Sequence, residues 1–298
     1  MTEITLLDGS IGQELVKRSG DRATPLWSTQ AMIDHPSILR QVHDAYFAAG
    51  ATVASTNTYA VLPDRLERAG FAERLAELAK TALNAARGAR EAHGAGRVAG
   101  AIGPLVASYR PDLCPPAPEA AEIYAAPVAL IAPHVDLLLF ETMSSVDQAR
   151  GALLAAANAP CPVWLAVTVM DEDGTRLRSG EPVGALAPLL AEMPPAALLV
   201  NCTRPESVAP ALRTLRGFGL PFGAYANGFT RITEGFLTDA PTVDALIARH
   251  DLSPAAYADH AMGWIAQGAT IVGGCCEVGP AHIAELAHRI REAGHDIV

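Results

Sequence analysis

At 298 residues, half of them hydrophobic, the chain is long for an ordinary domain and normal for an α/β barrel, which takes about 250. A net charge of −10 with scattered basic residues leaves no electrostatic footprint for nucleic acid. No apolar run reaches membrane-spanning length, the longest (125–140) being broken by prolines, His134 and Asp136. The first residues enter a strand-like run without a leader pattern, and five cysteines suggest no disulfide framework. A reduced, soluble, cytoplasmic protein is expected.

Short β-rich apolar runs alternate with longer amphipathic ones. The first strand is expected over 4–7, ending in Asp8-Gly9-Ser10. A Pro-containing loop with Trp27 leads to a helix over 36–49, opened by Pro36 and closed by Gly50. A second strand over 51–55 ends in Thr56-Asn57-Thr58-Tyr59. Leu75, Leu78, Ala79, Ala82 and Leu83 set a helical period over 71–91. The third strand (97–102) ends at Gly103-Pro104, and a Pro-rich loop precedes a helix over 119–131. The fourth strand (135–140) ends at Glu141-Thr142, with a helix from Val146. The fifth (163–169) is followed by the polar loop Asp171-Glu172-Asp173-Gly174 and a helix over 183–191. The sixth (197–200) ends at Asn201-Cys202, the seventh (222–226) at Asn227-Gly228, and the eighth (269–272) at Gly273-Gly274-Cys275-Cys276. A final helix covers 280–293. Without a repeat or an interdomain linker, this alternation predicts a parallel sheet in one domain spanning 1–298. Eight units point to a (β/α)8 TIM-type barrel, with a doubly wound open sheet as the alternative.

The placement of reactive side chains separates these two folds. Asp8, Asn57, Glu141, Cys202, Asn227, Cys275 and Cys276 all fall at C-terminal strand ends. A barrel brings such ends to one face and one pocket; an open sheet leaves several far apart. Adjacent cysteines cannot form an unstrained disulfide with each other, and structural zinc sites use wider spacings. If the sixth and eighth strands lie side by side, Cys202, Cys275 and Cys276 converge on one soft cation. Three ligands and an open position describe a catalytic zinc rather than a structural one. The plainer reading, a small buried hydrophobe or surface thiol, suits Cys114 and Cys161.

Asp8 and Glu141 are either helix-capping loop carboxylates or, beside a metal, a trap for a substrate ammonium group. In the second case backbone N–H groups near Gly9 are available for a carboxylate. Asn227 is a turn residue or a transient oxygen ligand. The nine histidines avoid strand ends and read as surface residues, while Trp27 offers an aromatic face to a cation. Neither Lys17 nor Lys80 sits at a strand end, which argues against a Schiff-base lyase.

These motifs resemble, over essentially the whole chain, the homocysteine S-methyltransferase family of zinc-dependent barrels. The resemblance rests on Leu7-Asp8-Gly9, Pro25-Leu26-Trp27-Ser28, Thr56-Asn57-Thr58-Tyr59, Glu141-Thr142, Asn201-Cys202 and Gly273-Gly274-Cys275-Cys276. It implies Zn2+ on Cys202, Cys275 and Cys276. It also implies an amino-group clamp of Asp8 and Glu141, with backbone at Gly9 and Thr56 meeting the carboxylate of homocysteine. Asn227 resembles an oxygen ligand present before the substrate thiol arrives. The implied partners are a small-molecule thiol and a methyl donor. The absence of appended modules favours a sulfonium, S-methylmethionine first and S-adenosylmethionine second, over betaine. Two departures stand out. Glu277-Val278-Gly279-Pro280 follows the cysteine pair where many relatives carry Arg or Gly, and Asp8-Gly9-Ser10 replaces the commoner Asp-Gly-Gly or Asp-Gly-Ala.

Overall fold

The computed structural model describes residues 2–21, 26, 28–237 and 245–298. Nine strands run in order through it: β1 (Glu3–Leu6), β2 (Val53–Ser55), β3 (Arg97–Ile102), β4 (Leu137–Met143), β5 (Val163–Val167), β6 (Ala197–Asn201), β7 (Phe222–Ala226), β8 (Ile271–Gly274) and β9 (Asp296–Ile297). Every pairing between them is parallel, from β2 through to β8 and on to β1. The curled sheet meets itself where Leu7 bridges Val53, with Thr52 N–H donating to Leu6 O (2.7 Å) and Asp8 N–H to Val53 O (3.1 Å). The expected barrel is therefore present. The ninth strand is an addition to it: two residues that pair with Glu3 and Ile4 on β1 below the ring's closure.

Helices α1 (Ile11–Ser19), α2 (Thr29–Asp34), α3 (Pro36–Ala49), α4 (Pro63–Arg68), α5 (Leu75–His93), α6 (Ala117–Ile131), α7 (Val146–Ala155), α8 (Ala187–Glu192), α9 (Pro205–Leu215), α10 (Pro254–Ala266) and α11 (Pro280–Glu292) sleeve the sheet. α3 ends where expected because Gly50 takes φ 106, a left-handed conformation a side chain would strain. Two separate cores follow from the two-residue period of the strands. Val53, Ala99, Leu139, Trp164, Leu199 and Tyr225 are among the side chains filling the barrel, whereas the opposite strand faces pack on the helices. At the lower end the Arg97 guanidinium lies 5.5 Å over the Trp164 ring.

β4 departs most from expectation. It continues through Glu141 to Met143 because its register with β5 shifts between Phe140 and Met143, and Thr142 adopts φ 65. Such a bulge re-aims a side chain. The amide of Asn201 fixes it, accepting from Thr142 N–H (2.9 Å) and donating to Thr142 Oγ1 (3.0 Å).

The histidines are not all superficial. His43 is fully buried, on the same face of α3 as Leu39, Val42, Tyr46 and Phe47. That i, i+3, i+4, i+7 pattern carries it inside regardless of its polarity. Neither ring nitrogen has a hydrogen-bond partner, and burial pushes the imidazole down from 6.5 to about 4. Between those values the unfolded chain binds a proton that the native state refuses, so stability falls as pH drops through this window, by about 3 kcal/mol. His43→Leu should flatten the decline of Tm between pH 6.5 and 4; an unchanged slope in thermal melts would assign the acid sensitivity elsewhere.

Candidate active site

β6 and β8 are not neighbours, contrary to the side-by-side arrangement expected from the cysteines; β7 lies between them. The thiols converge because both sulfur-bearing loops fold over the end of β7. Cys202, at φ 51, donates its N–H to Tyr225 O (3.2 Å), and Cys275 donates its own to Ala226 O (2.9 Å). Consecutive carbonyls of one strand thus hold both loops. The three sulfurs lie within 4.8 Å of one another, Cys202 and Cys276 at 4.0 Å.

The two glycines ahead of the cysteines make this approach possible. A Cβ on Gly273 would stand 2.4 Å from Leu7 Cβ, and one on Gly274 2.1 Å from Val278 Cγ1. Gly9 is equally confined, 2.1 Å from Val278 O.

Tetrahedral thiolates about 2.3 Å from a zinc ion sit roughly 3.8 Å apart, so the sulfur set fits such an ion with little adjustment. Its charge balance points the same way. Hydrogen bonding to Cys275 and Cys276 favours Cys202 as the thiolate, and bonding to it, then burial and its charge, drives those two thiols upward. Ionising all three requires a cation.

Asp8 and Glu141 reach the same pocket from β1 and β4. Asp8 accepts from Ser55 N–H (2.6 Å), yet burial still raises its carboxyl to about 7. Burial, then the neighbouring Cys202, raises Glu141 to about 8 against the hydrogen bond donated by Tyr225 OH (3.0 Å). Two desolvated carboxyls facing one cavity suit an incoming ammonium group, which would favour their charged forms.

Gly9 and Thr56 also line the pocket, although Thr56 N–H is already donated to Ala99 O (2.8 Å). The first turn of α1, Ile11 to Gln13, lines the cavity; Ile11 N–H is already donated to Gly9 O (2.9 Å), which leaves the N–H groups of the next two residues for a ligand. Asn227 is buried beside the site but is not among the pocket-lining residues. Its Oδ1 accepts from Phe229 N–H (3.1 Å) in a turn, and its Nδ2 has no partner. Trp27 lies outside the described residues. Cys114 and Cys161 are half-buried and not part of the sulfur cluster.

Several contributors escape a reading by strand ends. Tyr225 is an inward residue of β7 whose hydroxyl reaches Glu141; two-residue alternation along 222–226 would have pointed to it. Gln13 belongs to α1, a helix the periodicity did not single out. It donates to Glu277 Oε1 (2.5 Å) and accepts from Glu277 N–H (2.6 Å) and Ser10 Oγ (2.7 Å), tying α1 to the β8 loop. Tyr109 comes from the loop after β3 and lines the pocket with Tyr59.

A barrel that gathers three thiols with one buried and one half-buried carboxyl at its strand ends has the layout of an enzyme active site. The chain belongs to the homocysteine S-methyltransferase family, whose sequence profile matches residues 5–290, and is thus a methyltransferase. It is 34% identical to homocysteine S-methyltransferase of Escherichia coli (strain K12), the alignment covering 96% of this chain and 95% of the relative. It is 27% identical to homocysteine S-methyltransferase YbgG of Bacillus subtilis (strain 168), over 95% and 93% of the two chains. The crystal structure of the metallated homocysteine methyltransferase MmuM from Escherichia coli superposes with a TM-score of 0.81 at 29% identity, covering 96% of each chain.

The raised Asp8 carboxyl predicts a stability gain on neutralisation. An unfolded aspartate ionises near 3.8, whereas native Asp8 holds its proton to about 7, so the ligand-free protein loses stability as pH rises across that interval. Asp8→Asn should stabilise the ligand-free protein, little at pH 4 and increasingly up to pH 7, by as much as about 4 kcal/mol, with Tm rising accordingly, while weakening substrate binding. A pH-independent difference in Tm would sink this account of Asp8.

Proposed function

We propose that the protein transfers a methyl group from a small sulfonium donor, S-methylmethionine first and S-adenosylmethionine second, to the thiol of L-homocysteine, giving methionine. The observation that carries this reading is the gathering of Cys202, Cys275 and Cys276 in one pocket with Asp8 and Glu141. The three cysteines would hold Zn2+, which when bound supplies the positive charge that lets a fourth, substrate thiol ionise at neutral pH, well below its usual value of about 8.5.

Asp8 and Glu141 take the ammonium group of the amino acid, and Tyr225 keeps the Glu141 carboxyl turned to the pocket. The turn at Gly9 and the start of α1 meet its carboxylate, with Thr56 forming the wall rather than supplying its N–H. Fixed at both ends, the substrate presents its sulfur toward the cysteine cluster. Transfer needs no general base: the thiolate sulfur attacks the methyl carbon in line as the donor's C–S bond breaks. The bonding pair leaves on the donor sulfur, which becomes a neutral thioether. Alignment of the two sulfurs about the methyl carbon is the protein's main contribution. Carboxylates and the tyrosine faces of Tyr59 and Tyr109 make the cavity hospitable to a cation. The free thiols suit a reducing, cytoplasmic setting.

The test offers S-methylmethionine, S-adenosylmethionine and betaine separately to zinc-loaded protein with homocysteine, alongside Cys276→Ala, with bound zinc quantified. We expect methionine from a sulfonium donor in the wild type and loss of both zinc and at least 100-fold of activity in the variant, as on removal of a charge-stabilising group. Zinc-loaded wild type that turns over none of the three donors would refute the assignment of substrates.

A further inference from the structure

Glu277, the residue after the last sulfur, holds a conformation that glycine takes far more easily. Its φ is 65, and the chain on either side leaves it no other choice. Gly228 N–H donates to Cys276 O (2.8 Å) and Val278 N–H to Cys275 O (3.1 Å). Val278 O in turn accepts from Ser10 N–H (3.0 Å) and Tyr46 OH (3.0 Å).

The side chain is fixed as closely as the backbone. Gln13 Nε2 donates to Glu277 Oε1 (2.5 Å), and Gln13 Oε1 is itself held by Glu277 N–H (2.6 Å) and Ser10 Oγ (2.7 Å). On the other flank Gly228 lies so near that a Cβ there would stand 2.8 Å from Glu277 Cβ. Ser10, Gln13 and Cys276 all line the cavity, so the carboxylate is anchored at its rim, exposed to solvent.

Tying α1 to the β8 loop does not require a charge. The bond from Glu277 N–H to Gln13 would form with any residue, and Gln13 Nε2 would be served as well by a neutral oxygen. No arginine, lysine or histidine pairs with Glu277, and its Oε2 has no hydrogen-bond partner among the described residues. A full negative charge is thus fixed at the rim and left unneutralised. Within the cavity the acidic residues are Asp8 and Glu141, which the proposed function gives to the amino group of the acceptor, and no basic side chain lines it. A sulfonium donor that is itself an amino acid brings a second ammonium group, which those two carboxylates cannot also take.

We propose that Glu277 is a specificity-determining residue that receives the α-ammonium group of the methyl donor. The inference rests on the sulfonium-donor reading above and narrows it. Preferred donors carry a primary ammonium group as well as the sulfonium, as S-methylmethionine and S-adenosylmethionine do. Betaine, whose nitrogen bears no hydrogen, has nothing to donate to Glu277. Acceptor and donor are then sorted by separate carboxylates, one pair inside the pocket and one group at its rim.

Glu277→Gln keeps an oxygen for Gln13 and removes only the charge; Glu277→Lys reverses it. With zinc-loaded protein and saturating homocysteine, KM for S-methylmethionine should rise at least about fivefold in the first variant and further in the second, as on loss of a charge-assisted hydrogen bond. Bound zinc and KM for homocysteine should stay at wild-type values, which a merely displaced loop beside Cys276 would not allow. Trimethylsulfonium matches the net charge of S-methylmethionine at neutral pH and has no ammonium group. As a competitor against S-methylmethionine, its inhibition constant should change by less than about twofold. L-Homoserine, with a hydroxyl in place of the thiol, occupies the acceptor site without taking a methyl group. Calorimetric titration of that complex with S-methylmethionine should reproduce the ratio as a change in Kd. S-adenosylmethionine replaces S-methylmethionine in every arm if it is the donor that the wild type uses. An unchanged donor KM in both variants, or a rise shared by homocysteine or trimethylsulfonium, would overturn the role of Glu277 and leave the donor class standing. Wild type that makes methionine from neither sulfonium would overturn the donor reading and this inference with it.

Discussion

How near the end of β8 comes to the end of β1 decides everything the site does. Gly273, Gly274 and Gly9 form a seam in which a single methyl group would collide with Leu7 or Val278. The seam lets Gly274 N–H bond Asp8 O (2.9 Å), which sets the first carboxylate beside the last cysteines. Without that contact Cys275 and Cys276 would sit above a different part of the pocket, and Asp8 would face water. The energy behind it is packing: interiors are dense enough that atoms of this size cannot be inserted without moving strands.

The polar residues near the seam are held in states that water would not favour. Burial pushes both Asp8 and Glu141 toward neutrality, and three thiols share too little room to ionise together. Each group would be relieved by a positive charge, which the proposed function supplies as a metal ion at the thiols and an ammonium group at the carboxyls. Active sites of this type are less stable empty than filled, and binding is favoured by the same amount.

Much of this was legible in the sequence because the barrel converts strand order into position. Once the alternation of strands and helices is read, Asp8, Glu141, Cys202, Cys275 and Cys276 must share a face, and the structure gathers them in one pocket. Sequence order does not reveal which strands touch, so the interposition of β7 between the sulfur loops was hidden. Local bends were hidden too. Thr142 at φ 65 lengthens β4 and turns Glu141 inward, a conformation dictated by Asn201 from another strand rather than by its own neighbours. His43 was misplaced for the opposite reason: its polarity outweighed a helical period that puts it among Leu39, Val42 and Phe47. Asp171 read as part of a polar loop because only tertiary contact reveals that its carboxylate, 2% exposed, pairs with Arg178.

The sulfur set is assembled from distant stretches of chain, 202 on one side of β7 and 275–276 on the other, with the ring closed by the single bridge between Leu7 and Val53. Contacts of such sequence separation form late and slowly, since loop closure must precede the contacts that reward it. A chain that has made its first seven strands still has no place for a soft metal ion. A metal ion held by the three cysteines, as proposed, would be captured late in the protein's maturation and would act as a clasp across the end of β7.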